Sequence, residues 1–329
     1  MLELARGLSA SALEALADLE ARTVAVDGGR LKLEWGTLRA RAGREVDDLV
    51  WWGGGRLLGF LGLYAFGPPA VELVGMVDPA ARRRGIGRAL LDAALPVCRE
   101  RGFDRALLVV PRTSTAGRAL ALDRGATADH SEHALVLAGP PTDGPSDPRV
   151  SLRASGPADV PAITRILEAA FGSPPSGVQL ASESERTLVV ELDGGPVGTV
   201  RLTVEDDRGG VYGFAVDPAR QGRGIGRDVL RRVCHQLRRE GVGTIGLEVE
   251  VDNDSALGLY TSLGFVRVTT EDYFAVPLAT RRSVRASCGP GPSSAGGTAA
   301  TTPARAGTRP ARPPSRSGTA AKPPVLPRS

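Results

Sequence analysis

The sequence predicts an α/β protein with a mixed sheet flanked by helices, built twice in tandem. Three observations predict it. Apolar runs of roughly four to eight residues, the length of buried strands, alternate with segments whose apolar residues recur at helical spacing. A glycine-rich stretch, Val216-Asp217-Pro218-Ala219-Arg220-Gln221-Gly222-Arg223-Gly224-Ile225-Gly226-Arg227, lies between such a run and such a helix. It recurs, at nine of twelve positions, as Val77-Asp78-Pro79-Ala80-Ala81-Arg82-Arg83-Arg84-Gly85-Ile86-Gly87-Arg88. The offset of 139 residues also relates Gly59 to Gly198, Leu91 to Leu230, Gly102 to Gly241 and Gly125 to Gly264. A constant offset over about sixty residues indicates a duplicated domain.

The first copy, residues 1–138, opens with an amphipathic helix over 8–21 and a short apolar segment over 31–35 whose type stays open. Strands over 49–52 and 56–65 flank Gly53-Gly54-Gly55 as a hairpin. A strand over 71–77 leads into the first glycine-rich turn. The helix after it, 88–101, contains Pro96, which should kink or shorten it. A strand over 105–110, a helix over 115–124 closed by Gly125, and a strand over 134–137 complete the copy.

Residues 139–148, rich in Gly, Pro and Asp, read as a linker. The second copy, 149–279, begins with a strand at 151–153. A helix over 155–171 follows, with Ile163, Ile166, Leu167 and Ala170 on its apolar face. Strands over 188–192 and 196–204 pair around Asp193-Gly194-Gly195, and a turn at 206–210 leads to the strand 211–216. The helix 228–240 carries Val229, Leu230, Val233 and Leu237 at helical spacing. A strand over 244–251, a helix over 256–263 stopped by Gly264, and strands over 265–269 and 273–278 close the sheet. Residues 280–329 hold nine prolines and no aromatic, cannot build a core, and read as a disordered basic tail.

Composition bounds the function. At 329 residues with 42% hydrophobic content the chain suits two ordinary domains. Three scattered cysteines, Cys98, Cys234 and Cys288, show no metal-ligand pairing, so no structural metal or disulfide is expected. The formal charge of +4 is carried by the tail. Nine of the 41 basic residues and none of the acidic ones lie beyond residue 280, which leaves 32 basic against 37 acidic residues before it. A broad basic surface for nucleic acid is therefore not indicated, and weak charge-driven contact would fall to the tail. Charges at the amino terminus and the lack of any long apolar run point to the cytoplasm and no membrane span.

The glycine-rich stretch has a physical reading of its own. Glycines let the backbone approach a ligand closely. The free N–H groups of the helix's first turn then point at that ligand, and the helix dipole favours an anion. A phosphate or pyrophosphate suits the place.

These residues resemble the GCN5-related N-acetyltransferase (GNAT) superfamily. Its acetyl-coenzyme A signature, Gln/Arg-x-x-Gly-x-Gly/Ala after Val-x-Pro, matches Gln221 through Gly226, and Arg82 through Gly87 in the first copy. A second family motif, Asn-x-x-Ala-x-x-x-Tyr-x-x-x-Gly-Phe, matches Asn253, Ala256, Tyr260, Gly264 and Phe265. The resemblance implies two tandem domains of that fold, the first degenerate, and N-acetyl transfer from acetyl-CoA to a primary amine by direct attack. It implies a donor site at Phe214, Ala215, Val216, Gln221, Gly222, Arg223, Gly224, Ile225, Gly226, Arg227, Asn253, Ala256 and Tyr260, with a backbone N–H of the 211–216 strand as oxyanion donor. Val77, Arg82, Arg84, Gly85 and Gly87 are the corresponding residues of the first copy.

On the family's pattern Tyr260 is the acid that protonates the thiolate, since a phenol is protonated near pH 7. Taken alone it would be a core aromatic. Asn253 would hold the coenzyme arm and also suits a helix N-cap. Glu248 lies twelve residues before Tyr260, as in the ribosomal-protein alanine N-acetyltransferases, and is the candidate base. A solvated strand face explains it equally well. Glu205, Asp206 and Asp272 are further carboxylates nearby in sequence. In the first copy Tyr260 falls on Ala121, Asn253 on Ser114 and Phe265 on Ala126, so the acid is missing. His130, His133 and His235 lack catalytic companions in sequence, and the first two suit the surface.

The acceptor loops would be 171–185 and 269–274. The acceptor is a small-molecule amine or a protein N-terminal amine. The tandem build also resembles mycothiol synthases, which acetylate a thiol-cofactor precursor, although the acidic residue of that family ahead of the central strand falls on Gly210. A non-catalytic acyl-CoA sensor is the alternative outside enzymes. A dinucleotide-binding oxidoreductase is disfavoured, because the turn lacks the third glycine of Gly-x-Gly-x-x-Gly and follows several strands.

Overall fold

The computed structural model describes residues 1–65, 69–172 and 185–278. The tail assignment for 280–329 lies outside the described residues. Twelve strands form one sheet. They are β1 (Leu2–Ala5), β2 (Asp48–Gly53), β3 (Arg56–Tyr64), β4 (Ala70–Val77), β5 (Arg105–Pro111), β6 (Thr127–Leu137), β7 (Val150–Ala154), β8 (Glu185–Leu192), β9 (Gly195–Glu205), β10 (Arg208–Val216), β11 (Thr244–Glu250) and β12 (Phe265–Pro277). The helices are α1 (Ala10–Asp27), α2 (Trp35–Ala40), α3 (Ile86–Glu100), α4 (Thr115–Asp123), α5 (Val160–Phe171), α6 (Ile225–Arg239) and α7 (Asp254–Ser262). No described helix is long and apolar enough to cross a membrane.

The strand order is β1-β2-β3-β4-β5-β12-β6-β11-β10-β9-β8-β7. The two copies therefore exchange their last strands. β12, from the end of the second copy, lies antiparallel between β5 and β6. β6, from the end of the first, lies antiparallel against β11. The only parallel pairs in this order are β4 with β5 and β10 with β11, one in each copy.

Periodicity explains the packing. On β5, Ala106, Leu108 and Val110 face the core under α3 and α4, while Leu107 and Val109 face the core under α1. Six residues of α3 are buried: Ile86, Leu90, Leu91, Ala94, Leu95 and Cys98. Adding 139 gives Ile225, Val229, Leu230, Val233, Cys234 and Leu237, all buried on α6. The repeat thus extends from sequence to the helix face that packs on the sheet. Side chains from β6, Leu135 and Leu137, enter the second copy's core, and Phe274, Val276 and Leu278 enter the first copy's.

Several sequence expectations are corrected. Pro96 does not end or shorten its helix. α3 runs from Ile86 to Glu100, held by the buried Leu91, Ala94, Leu95 and Cys98 around it. The strands expected at 265–269 and 273–278 are one strand, β12, with register shifts at Arg267/Thr269 and Asp272/Phe274 absorbing the polar break. β6 begins at Thr127, because its polar first half pairs with β12 in the sheet centre. His133 is consequently buried, bonded to the Thr270 hydroxyl at 2.8 Å, and not a surface residue. His130 stacks on Tyr273 with ring centroids 4.1 Å apart. The segment at 31–35 is neither strand nor a helix of its own: the Leu33 amide bonds the Leu31 carbonyl at 2.8 Å and Trp35 already opens α2, while Leu2–Ala5 forms an edge strand that its mixed polarity did not signal.

The stretch 139–148 lies along α6. Arg231 donates to the Pro145 carbonyl, Arg232 to the carbonyls of Asp147 (2.8 Å) and Val150 (2.9 Å), and Arg238 to that of Gly139 (3.1 Å).

Candidate active site

Each glycine-rich turn folds the same way. Asp217 accepts from the Ala219 amide at 3.0 Å, and Asp78 from the Ala80 amide at 3.0 Å, which shapes a single 3-10 turn. Gly224 (φ +80°) and Gly85 (φ +81°) then enter the left-handed region and start α6 and α3. Neither helix has a side-chain cap at its start. By contrast, Ser9, Ser114 and Asn253 each accept a first-turn amide of α1, α4 and α7. The first amides of α3 and α6 are left for an external acceptor, which the helix dipole prefers to be anionic. Gln221, Gly222, Arg223, Gly224 and Arg227 are exposed there, and Ile225 is buried as the helix's first core contact. Gln221 donates to the Val216 carbonyl at 3.0 Å, and Arg82 to the Val77 carbonyl at 3.2 Å.

Beside each turn the parallel strands part. Pairing of β10 with β11 stops at Val211/Leu247, and pairing of β4 with β5 at Val74/Val109. In the first copy the resulting cleft has a volume of about 600 Å3 and is bordered by Val77, Arg82, Gly85, Gly87, Ser114 and Leu120. Arg82 there is held by Asp27 through bonds of 2.8 and 2.7 Å.

The copies differ where chemistry would occur. β4 pairs with β3 without interruption from Val77/Gly59 to Glu72/Tyr64. β10 bulges away from β9 between Tyr212 and Ala215, with Gly213 at φ +51°. A bulge takes backbone groups out of the ladder and re-aims them, so the Gly213–Phe214 segment has amides that the first copy keeps in its ladder. Tyr260 is 8% exposed, stands on α7 against Phe265, and its hydroxyl makes no hydrogen bond among the described residues. Burial pushes its phenol up to about 12. At the same place the first copy has a fully buried Ala121. The Asn253 carbonyl oxygen accepts from the Ala256 amide at 3.0 Å and caps α7, which leaves its NH2 group for another partner.

On β11, Ile245, Leu247 and Val249 face the α6 and α7 core, and Glu248 turns to the other side. It is not a solvated residue. One of its oxygens bonds Arg30 and the other lies 2.9 Å from Lys32 Nζ. Both cations come from the first copy. Burial opposes charge on Glu248, but Lys32 and Arg30 outweigh it and hold the carboxylate below its usual range. Lys32 is buried and also approaches Glu72 (3.4 Å), Glu132 (3.5 Å) and the Tyr273 hydroxyl (2.6 Å). Arg30 stands 3.7 Å from Glu271, which is wholly buried and whose carboxylate accepts no hydrogen bond among the described residues. Burial, reinforced by Glu248, raises Glu271 to about 7 against Arg30 and Lys32.

Sequence reasoning named Glu248 but missed Arg30, Lys32, Glu34, Tyr212 and Glu271 around it. They converge from three separate places in the chain, the segment 30–34, β10 and β12, which no single motif joins. The alternation of Leu31 and Leu33 with Arg30, Lys32 and Glu34 was the one visible hint. Of the other carboxylates, Asp272 is bonded to Arg112 (2.7 Å) and Ser131 (2.8 Å). Asp206 is exposed and 3.6 Å from Arg39. The supposed acceptor loop at 269–274 is part of β12 at the sheet centre, while residues 173–184 of the other lie outside the described residues.

The profile of the acetyltransferase (GNAT) family matches residues 15–125 and again 161–265, more than half of the chain. A mycothiol acetyltransferase of Rhodococcus erythropolis is 33% identical over 231 residues, covering 61% of this chain and 73% of that protein. A [ribosomal protein bS18]-alanine N-acetyltransferase of Escherichia coli is 37% identical over 114 residues, 34% of this chain and 77% of its own length. Among solved structures, a GCN5-related N-acetyltransferase from Sphaerobacter thermophilus superposes with a TM-score of 0.69 at 19% identity, covering 84% of this chain and 96% of that one. A tandem GNAT protein from the clavulanic acid biosynthesis pathway gives 0.62 at 17% identity, with 84% and 99% covered. At these identities the structures speak for the fold.

Proposed function

The chain belongs to the GNAT acetyltransferase family, and from that premise we propose that its second copy moves an acetyl group from acetyl-CoA to a primary amine by direct attack on the thioester. The first copy is the degenerate partner. One observation carries the assignment to the second copy: it alone joins an uncapped helix start and parted strands to a bulged β10 and a buried phenol.

Each residue's part follows from its chemistry. The amides opening α6, with Gln221, Gly222, Arg223, Gly224, Ile225, Gly226 and Arg227, receive the diphosphate. Phe214, Ala215, Val216, Asn253 and Ala256 border the coenzyme arm. An amide of the bulge meets the developing oxyanion. Tyr260, kept protonated by burial, gives its proton to the departing sulfur. The acceptor's ammonium loses a proton to the carboxylate group centred on Glu248.

The acceptor is a small-molecule amine or a protein N-terminal amine. The relative over most of the chain's length favours a thiol-cofactor precursor, and the shorter relative a protein amino terminus. The cytoplasm would be the place of action. A non-catalytic acyl-CoA sensor is the second reading, favoured by the first copy's formed cleft without a phenol.

A coenzyme-release assay over an amine panel tests the proposal. Tyr260→Phe should lower kcat about 100-fold or more with donor binding by calorimetry nearly unchanged, as for a group acting in the transition state. Donor binding without release on any amine would favour the sensor. Full activity in Tyr260→Phe would remove the phenol from its part.

A further inference from the structure

The segment that links α1 to α2 belongs to the first copy but faces the second. Leu31 and Leu33 pack into the α1 core. Arg30 and Lys32, which alternate with them in sequence, turn the other way and meet Glu248. Glu34 follows, opening α2 without capping it through its side chain. Two residues on, Gly36 lies so close to β9 that an added Cβ would overlap the Glu205 carboxylate. Arg39 then pairs with Asp206. Glu34 thus sits between two points of contact with the second copy.

The carboxylates here are unequal. Glu72, Glu132 and Glu248 share Lys32, and Glu271 has Arg30 nearby. Glu34 forms no ion pair or hydrogen bond through its carboxylate among the described residues. It is half-buried, and the groups that act on it are Lys32 and Arg30 of its own segment, Glu72 of β4 and Glu248 of β11. The phenols of Tyr64 on β3 and Tyr212 on β10 feel its charge in turn. Tyr212 is the residue at which the β10 bulge begins.

We propose that Glu34, supplied by the first copy, is the general base for transfer in the second, and that Glu248 is its clamped, charged partner. This rests on the acetyl-transfer reading above. A carboxylate that holds a cation on each oxygen is a weak base, and Glu34 holds none. Burial and the like charge of Glu248 raise Glu34 to about 7, where a general base works best near neutral pH. Glu34 takes one proton from the acceptor ammonium, and the N–H electron pair becomes the nitrogen lone pair. That pair forms the C–N bond, the C–S bond breaks with its electrons on sulfur, and Tyr260 protonates the thiolate. The second nitrogen proton leaves as the amide forms and restores Tyr260, while Glu34 returns its proton to solvent.

The test is kcat/KM against pH for wild type, Glu34→Gln, Glu34→Asp and Glu248→Gln, using an amine accepted in the panel. In wild type an acid limb near pH 7 is expected. Glu34→Gln should lose that limb and about 100-fold in kcat/KM at pH 8, with donor binding by calorimetry unchanged. Glu34→Asp should keep a limb at reduced rate. Glu248→Gln should keep the limb but move it to lower pH, because the like charge that raises Glu34 is gone. A limb surviving in Glu34→Gln, or vanishing in Glu248→Gln, overturns the assignment to Glu34 alone. Absence of coenzyme release from wild type on every amine would overturn the transfer reading instead.

Discussion

Strand exchange makes a strong prediction about the second copy expressed alone. Residues 149–280 retain α5, α6, α7 and the glycine-rich turn, so they contain every residue assigned to the donor site. They lose β6, which pairs with β11 at five positions from Gly246/Val136 to Glu250/Glu132. They also lose β5, which pairs with β12 at seven positions from Glu271/Pro111 to Pro277/Arg105. Leu135 and Leu137 leave the second core, and Phe274, Val276 and Leu278 lose the first. Each large apolar side chain is worth roughly 1.5–3 kcal/mol when buried, and each ladder hydrogen bond about 1 kcal/mol net. The sum is on the order of 10 kcal/mol, comparable with the whole stability of a domain, about 5–15 kcal/mol. The fragment should therefore fail to form a stable monomer. Urea unfolding followed by circular dichroism, with light scattering for mass, should show no cooperative transition, or a dimer in which a second fragment covers the strand edges left by β5 and β6. A monomer unfolding at the full chain's midpoint would refute the reasoning, because the lost strands would then carry no stability.

Two further outcomes are expected. Arg83 holds φ +62° where the second copy has Gly222 at +74°. Arg83→Gly should stabilise the chain by up to about 1 kcal/mol, since a non-glycine residue in this region costs about 1–2 kcal/mol and glycine returns part of it as lost chain entropy; an unchanged or lower urea midpoint would contradict this. Glu271 and Glu34 are raised to about 7 in the fold against 4.5 when exposed. Between pH 4.5 and 7 the native state therefore binds more protons than the unfolded one, and these groups' contribution falls as pH rises through that window. Glu271→Gln should flatten the loss of melting temperature from pH 5 to pH 8. The ceiling is about 3 kcal/mol, from 1.36 kcal/mol per pKa unit, and an undiminished slope in the variant would refute the assignment.

The sequence by itself determined the repeat, the order of its elements and both glycine-rich turns. Those features are local: strand and helix periods, glycine at positive φ and an Asp that shapes the turn all act within a few residues. It also singled out Tyr260, Asn253 and Glu248 as candidates, because a motif with fixed spacing on one helix or strand needs no partner to be seen. Only the tertiary structure decided that the copies exchange β6 and β12, that β10 bulges where β4 does not, and that Glu248 is clamped by Arg30 and Lys32. Pairing between strands more than a hundred residues apart leaves no period in the chain. A short charged segment such as 30–34 acquires its meaning from the face it is pressed against, and that face comes from the other copy.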